Sequence, residues 1–532
     1  MRALLLYKLC VLFMVPVGLL SQNYEMAWGD PIEIDGPGKW YEKQAEIIAH
    51  NSDFYFVLET NFKAKRLLQF DYNHQFVREL DLTQVLNGAD FTFRSSLLST
   101  ASRDFFLVSE DVSHAQYIKT YLLPMADNEL KTPIDLAQTE NKGLLSDYAP
   151  FDKFSLIDVS QNGAYVAICQ GYSSRNGKAS SYKVTLLNAE LDEVWHDFIE
   201  IEELEAFQMS QLIVNDDGGV FLLSDYRIDQ KGVARKERSR IPRRQIIISW
   251  PTGEESRYQH DIELEDNQVA VEGSLIPGMN SQELIITGFY RLDEKRPTIQ
   301  AGVFHQTYHT SDHEVSNTTI LPHENSGLGE VLLTNIVGTQ VNTSFFMRRI
   351  SGGNPYYDNF TIRSVLSFED GSHGFLAESI LLFQTGGPTS SAGVTSTDVT
   401  YIAGRFLLVL FSPDGKDQLA YVVTRDLSTD DRSYTGSANL ITPDGLTMIY
   451  LDQKSKAEIE AQEQQGKVME QLTTDLHFLS FTDGKSETIS LVSDKKDLFF
   501  NPSFSQKTDR GFLVLMVQKK KKYYQVGFLS LE

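Results

Sequence analysis

The stretch FHQTYHTSDHEV carries His305, His309 and His313, with Asp312 and Glu314 beside them. Imidazole nitrogen and carboxylate oxygen are the ligands that hold divalent transition metals. On an extended strand the even spacing turns all three histidines to one side, but the span between the outer two is too long for one ion. A metal would therefore be taken by His309 and His313, with Asp312 or Glu314 across the turn. The competing reading is a solvated hairpin, and the spacing favours it. No metal and no other cofactor is expected.

Acids recur in a second pattern. Eight positions after Asn51, Ser102, Asp217, Asp370 and Asp444 stand Glu59, Glu110, Asp225, Glu378 and Asp452. A broken ring of carboxylates of this kind could bind a cation or a basic partner. Alternatively these acids hydrogen-bond backbone N–H groups where loops begin. One basic block, KGVARKERSRIPRR, contains Arg235, Lys236, Arg238, Arg240, Arg243 and Arg244 and could dock an anionic glycan, a headgroup or an acidic partner. The Gly/Ser/Thr-rich run from Thr385 to Gly404 lacks the lysine that a phosphate-cradling loop requires and reads as a plain loop. No Ser-His-Asp order, nucleophile elbow, HExxH or Cys/His metal spacing is present. Cys169, inside AYVAIC, reads as a small core residue.

The elements that must position these residues repeat. A turn followed by an apolar run occurs as HNSDFYFVLET, TASRDFFLVSE, SQNGAYVAICQ, NDDGGVFLLSD, NSQELIITGFY, EDGSHGFLAES, TPDGLTMIYLD and TDRGFLVLMVQ. Each copy leads to a second strand-like run, and nearly all then pass through a short polar hairpin to a third. A shorter apolar run usually precedes the turn. Units of four strands spaced this way predict the blades of a β-propeller, all-β and single, with eight four-stranded blades and seven as the alternative. The eighth unit ends after its third strand. The N-terminal DPIEIDG supplies the missing strand, and its pairing with QVGFLSL would close the ring and leave no open sheet edge. A short surface helix is expected only in KSKAEIEAQEQQGKVMEQL.

On these motifs the chain resembles β-propellers over nearly all its length. TPDGLTMIYLD resembles the turn-and-strand element of TolB-like propellers, while LLNAELDEVW and IIISWPTGEES are similar to repeats of the BamB kind. In style the chain resembles uncharacterised exported propellers of Bacteroidota, a resemblance that brings no active site with it.

Within a blade, strands A to D alternate in direction. The A–B and C–D turns are short throughout. The long segments, at about 226–244, 383–404 and 453–474, join strands B and C, and another at 324–359 joins one blade to the next. Both kinds of connection leave on the same face. Long loops gathered on a rigid frame usually carry function.

At its start, Arg2 and Lys8 flank an apolar core from Val11 to Leu20, which predicts a secretory signal over residues 1–21, the propeller occupying 22–532. No other segment is apolar enough to span a bilayer. Losing Arg2 and Lys8 would take the formal charge from −24 to −26, and such a field disfavours nucleic acid. The expected location is the periplasm or outer membrane of a Gram-negative cell. The expected role is non-catalytic: an exported binding or scaffold protein of the cell envelope, engaging an envelope protein or a glycan through the loop-rich face. The first alternative is a carbohydrate-active enzyme, a glycoside hydrolase or lyase, with carboxylates around the central channel. The second is an assembly factor within an outer-membrane complex.

Overall fold

The structure is a computed structural model. It describes residues 24–34, 44–61, 65–80, 82, 91–112, 117–140, 155–175, 178–200, 204–228, 244–251, 257–265, 267–278, 282–292, 300–323, 360–386, 397–416, 418–425, 427–429, 434–442, 444–453, 472–481, 484–491, 498–508, 510–518 and 523–531. The predicted signal, most of the basic block, the 324–359 insertion and the expected surface helix lie outside these residues.

Eight antiparallel sheets form the blades of a β-propeller. Blade four shows the plan: strand A is Leu204–Val214, B is Val220–Ile228, C is Arg244–Trp250 and D is Tyr258–Asp261. The B strands are apolar runs because both their faces are covered. Successive side chains point to opposite neighbours. Val220 and Leu222 pack with Ala167 and Trp250 towards blade three, whereas Phe221 and Leu223 pack with Ile286 and Phe304 towards blade five. Outer strands alternate and are wetter, as in Ser486–Leu491.

The ring closes as its sequence predicts. One apolar cluster joins Tyr55 and Val57 of blade one to Leu513, Leu515 and Tyr524 of blade eight. The N-terminal segment is the outer strand of blade eight: Ile32 pairs with Tyr524. The closing strand differs from the expected one: DPIEIDG reaches only Tyr523 and Tyr524, whereas QVGFLSL is paired by Tyr24–Trp28, which runs alongside Gly527–Leu531. Gly527 makes that approach possible. A Cβ there would lie 2.4 Å from Met26 Cε and 2.5 Å from the Trp28 ring.

The A–B turns and C–D hairpins interlock on one face. Asn162 N donates to Asp216 Oδ1 of the next blade at 2.8 Å, and Thr100 Oγ1 donates to the Ala189 carbonyl at 2.8 Å. In the turn that begins at Asn215, Gly218 takes φ +86°, a conformation that side-chain-bearing residues rarely adopt. The described ends of the long connections lie on the opposite face, but the segment expected as a loop at 383–404 is largely strand, since His373–Gly386 and Thr397–Phe411 pair as far as Gly386 and Thr397.

Candidate functional site

Strand A lines the central channel, and in blades one, four, five and six it carries β-bulges. A bulge leaves one residue unpaired and re-aims its side chain. In blades four and six the bulged residues are Ser210 and Arg363, and both line a cavity of about 480 Å³ in the channel. Asp225 and Gln245, from the loop-side ends of strands B and C in blade four, also reach it, as do Glu272, Gly273 and Ser274 of blade five. Leu156, Met209, Ile362 and Val365 give it an apolar wall.

Neighbouring blades are held together by side chains that act as extra backbone partners. Gln211 Nε2 donates to the Leu275 carbonyl at 2.8 Å, and Leu275 N donates to Gln211 Oε1 at 2.8 Å. Gln300 treats Phe360 the same way, at 2.7 and 2.8 Å. Asp158 accepts from Val214 N at 2.8 Å, and burial raises its pKa to about 6.

The five acids of the repeat do not converge. Glu59 is buried between blades one and eight, accepting from Tyr524 Oη at 2.8 Å with Arg66 at 3.5 Å. Burial pushes the Tyr524 phenol upward, and the Glu59 carboxylate adds to that. Glu110 accepts from Tyr121 Oη. Asp225 accepts from Gln245 Nε2 at 2.9 Å and is alone among the five in lining the cavity.

Glu378, fully buried, takes Arg363 at 2.7 Å, the buried Arg425, and Gly436 N at 2.9 Å. Arg425 also lies over the Phe406 ring, 4.4 Å from its centroid. Its pKa is lowered by burial, against which the paired Glu378 and, at longer range, the Asp452 charge act. Asp452 further accepts from Gln453 N at 2.7 Å. The repeat's acids thus meet side chains of neighbouring strands and blades more often than backbone N–H groups.

Of the basic block, Arg244 opens strand C of blade four and is exposed; Arg235, Lys236, Arg238, Arg240 and Arg243 lie outside the described residues. The histidines part company. His305 is buried and stacks on His373 of blade six, with ring centroids 4.9 Å apart. His309 bonds Ser316 Oγ at 2.7 Å. His313, at φ +61°, turns the other way and stacks on Tyr258 of blade four at 3.7 Å. Among the described residues no three His, Cys, Asp or Glu side chains gather to hold a metal, and no helix is long and apolar enough to cross a membrane.

Gln245, Glu272, Gly273, Ser274, Ser210, Arg363 and Ser364 escaped sequence reasoning. For the six on strand A the signal was a polar pair before its apolar end, seen in FQMSQLIV, VEGSLI and IRSVLSF; Gln245, on strand C, had none.

No protein-family model matches the sequence, and no curated protein matches it. Some solved structures align with most of the chain at low identity. Polysaccharide lyase Uly1 is 8% identical, with 82% of this chain and 89% of that one covered and a TM-score of 0.38. The WD40 domain of SCAP from fission yeast is 8% identical, covering 92% and 98%, with a TM-score of 0.38. The β-propeller domain of the Trilobed protease from Pyrococcus furiosus is 9% identical, covering 87% and 94%, with a TM-score of 0.35. Likeness at this level carries no functional argument.

Proposed function

We propose that this chain is an exported, non-catalytic binding or scaffold protein of the cell envelope, which engages a protein or glycan through the loop-bearing face of the ring. One observation carries the reading. The described ends of the long connections lie on one face, while the described turns on the opposite face are short and interlocked. A rigid frame that concentrates variable chain on one side suits recognition. The internal ties of Glu59 and Glu378 add support, because carboxylates held by arginine or tyrosine are poorly placed for proton transfer. The apolar segment that opens the sequence supports export. A second reading, a carbohydrate-active enzyme, is favoured by Asp225 and Glu272 lining one cavity.

The test compares the two faces. Cys169 is buried and its thiol is pushed upward by that burial, so a cysteine introduced at the surface labels selectively. Arg244→Cys places a photo-crosslinker on the loop-bearing face, and Asp53→Cys places one on the turn face. In native envelope fractions the first should yield a discrete adduct and the second none. Equal adducts from both positions, or an adduct from Asp53→Cys alone, would overturn the assignment. If Asp225→Asn abolishes a glycan-cleaving activity of the purified chain, the enzyme reading replaces this one.

A further inference from the structure

The channel cavity has unmet hydrogen-bonding capacity. Gln245 is 2% exposed; its Nε2 donates to Asp225, while its Oε1 has no partner. Ser364 Oγ, on the same cavity, is also buried without a partner. Buried polar atoms are ordinarily satisfied, so two orphans on one cavity wall point to something that completes them.

We propose that this cavity holds the end of a short neutral oligosaccharide. The inference rests on the binding reading above and names the chemistry of one ligand for it. Three properties select this class. First, the wall mixes acceptors (Asp225, Glu272, Gln245 Oε1) with hydroxyls that both give and accept (Ser210, Ser274, Ser364), and sugar hydroxyls match both kinds. Second, the apolar side chains of Leu156, Met209, Ile362 and Val365 offer a surface for the C–H face of a pyranose. Third, the volume of about 480 Å³ falls in the usual range of small-molecule sites.

Charge narrows the class further. Two carboxylates face the cavity, and Arg363 already directs Nε and an Nη to Glu378. An acidic or sulfated sugar would meet repulsion from these two carboxylates. An ammonium ligand would leave the apolar wall and most of the volume unused. Gly273 fixes how closely Gln245 approaches, since a Cβ there would stand 2.5 Å from Gln245 Oε1.

The experiment is calorimetry on the full mature chain with maltotriose, cellotriose, xylotriose, laminaritriose and chitotriose, and with trilysine as the cationic comparison. At least one trisaccharide should bind with a Kd below about 1 mM. Gln245→Ala and Gly273→Ala should each weaken it about tenfold or more while thermal unfolding stays cooperative. Should Gly273→Ala not fold, Ser364→Ala carries the same expectation. Binding of none of the five sugars overturns the proposal, as does binding that the folded variants leave unchanged, or binding of trilysine instead. An Arg244→Cys adduct that persists where no sugar binds leaves the binding reading standing and removes only this inference.

Discussion

Strand B of blade six, His373–Gly386, buries an imidazole and a carboxylate five residues apart and treats them in opposite ways. Near the turn face, His373 is 1% exposed, contacts the Gly371 carbonyl at 3.0 Å and stacks on His305 and Phe411. Burial lowers the pKa of both imidazoles, that of His305 to about 4, so the pair is neutral at neutral pH. Towards the loop face, Glu378 is as deeply buried but keeps its charge company with Arg363 and Arg425. In this strand the turn-side half therefore buries a polar group uncharged, whereas the loop-side half buries a charge by pairing it. A site meant to recognise polar ligands is better built on the second half, where fixed charges already sit at the strand ends.

The sharpest way to break this comparison is Glu378→Ala. It strands Arg425, whose side chain is fully buried, without its carboxylate. Removing one partner of a buried pair costs about 3–5 kcal/mol. His373→Ala removes packing and leaves no charge behind, so its loss should be smaller. Urea unfolding of both variants measures the difference; equal losses would mean that the Glu378 network contributes packing alone.

Acidification is the next largest effect and acts on the other end of the strand. The unfolded chain protonates histidine near pH 6.5, while buried His305 resists until about 4, as do His323 and His477. Between those values the unfolded state binds more protons, so stability falls as pH falls, by up to about 1.4 kcal/mol per unit for each such group. Glu46, raised to about 7, and Asp158, raised to about 6, pull the other way, because their folded forms hold protons that the unfolded chain has released. Three histidines should outweigh two acids. Urea midpoints between pH 7 and 4.5 should decline, and His305→Gln should flatten that decline if it folds. A midpoint that rises on acidification would show that the imidazoles are not held neutral.

Much of this was legible before any coordinates. The repeat of turn and apolar run gave blade number and closure, because strands covered on both faces must read as unbroken apolar stretches, as in GVFLLSD. The acids at the ends of strand B were visible too, but their partners were not: Arg425 lies 47 residues from Glu378, and Tyr524 lies 465 from Glu59. Such pairings depend on how neighbouring blades pack, which no local pattern records. The cavity was hidden for a related reason. It is assembled from strand A of four blades, and bulges set which residues face inward. A bulge shifts the alternation by one, so reading strand A as strictly alternating misplaces Ser210 and Arg363.

The smallest effect belongs to the turn face. Asn215 Oδ1 accepts from Gly219 N at 2.5 Å and closes the turn that ends at strand B of blade four. Asn215→Ala removes that acceptor at a partly exposed site, which should cost about 1 kcal/mol. Asn215→Asp keeps an acceptor in place but adds a third negative charge beside Asp216 and Asp217, so its smaller loss should shrink further as salt is added. Neither change touches the channel or a strand end on the loop face. The Arg244→Cys adduct should therefore persist in both, with stability alone reporting the lesion. If Asn215→Ala instead removed the adduct, the two faces would be coupled through blade four, and the division of labour drawn from strand B of blade six would not extend around the ring.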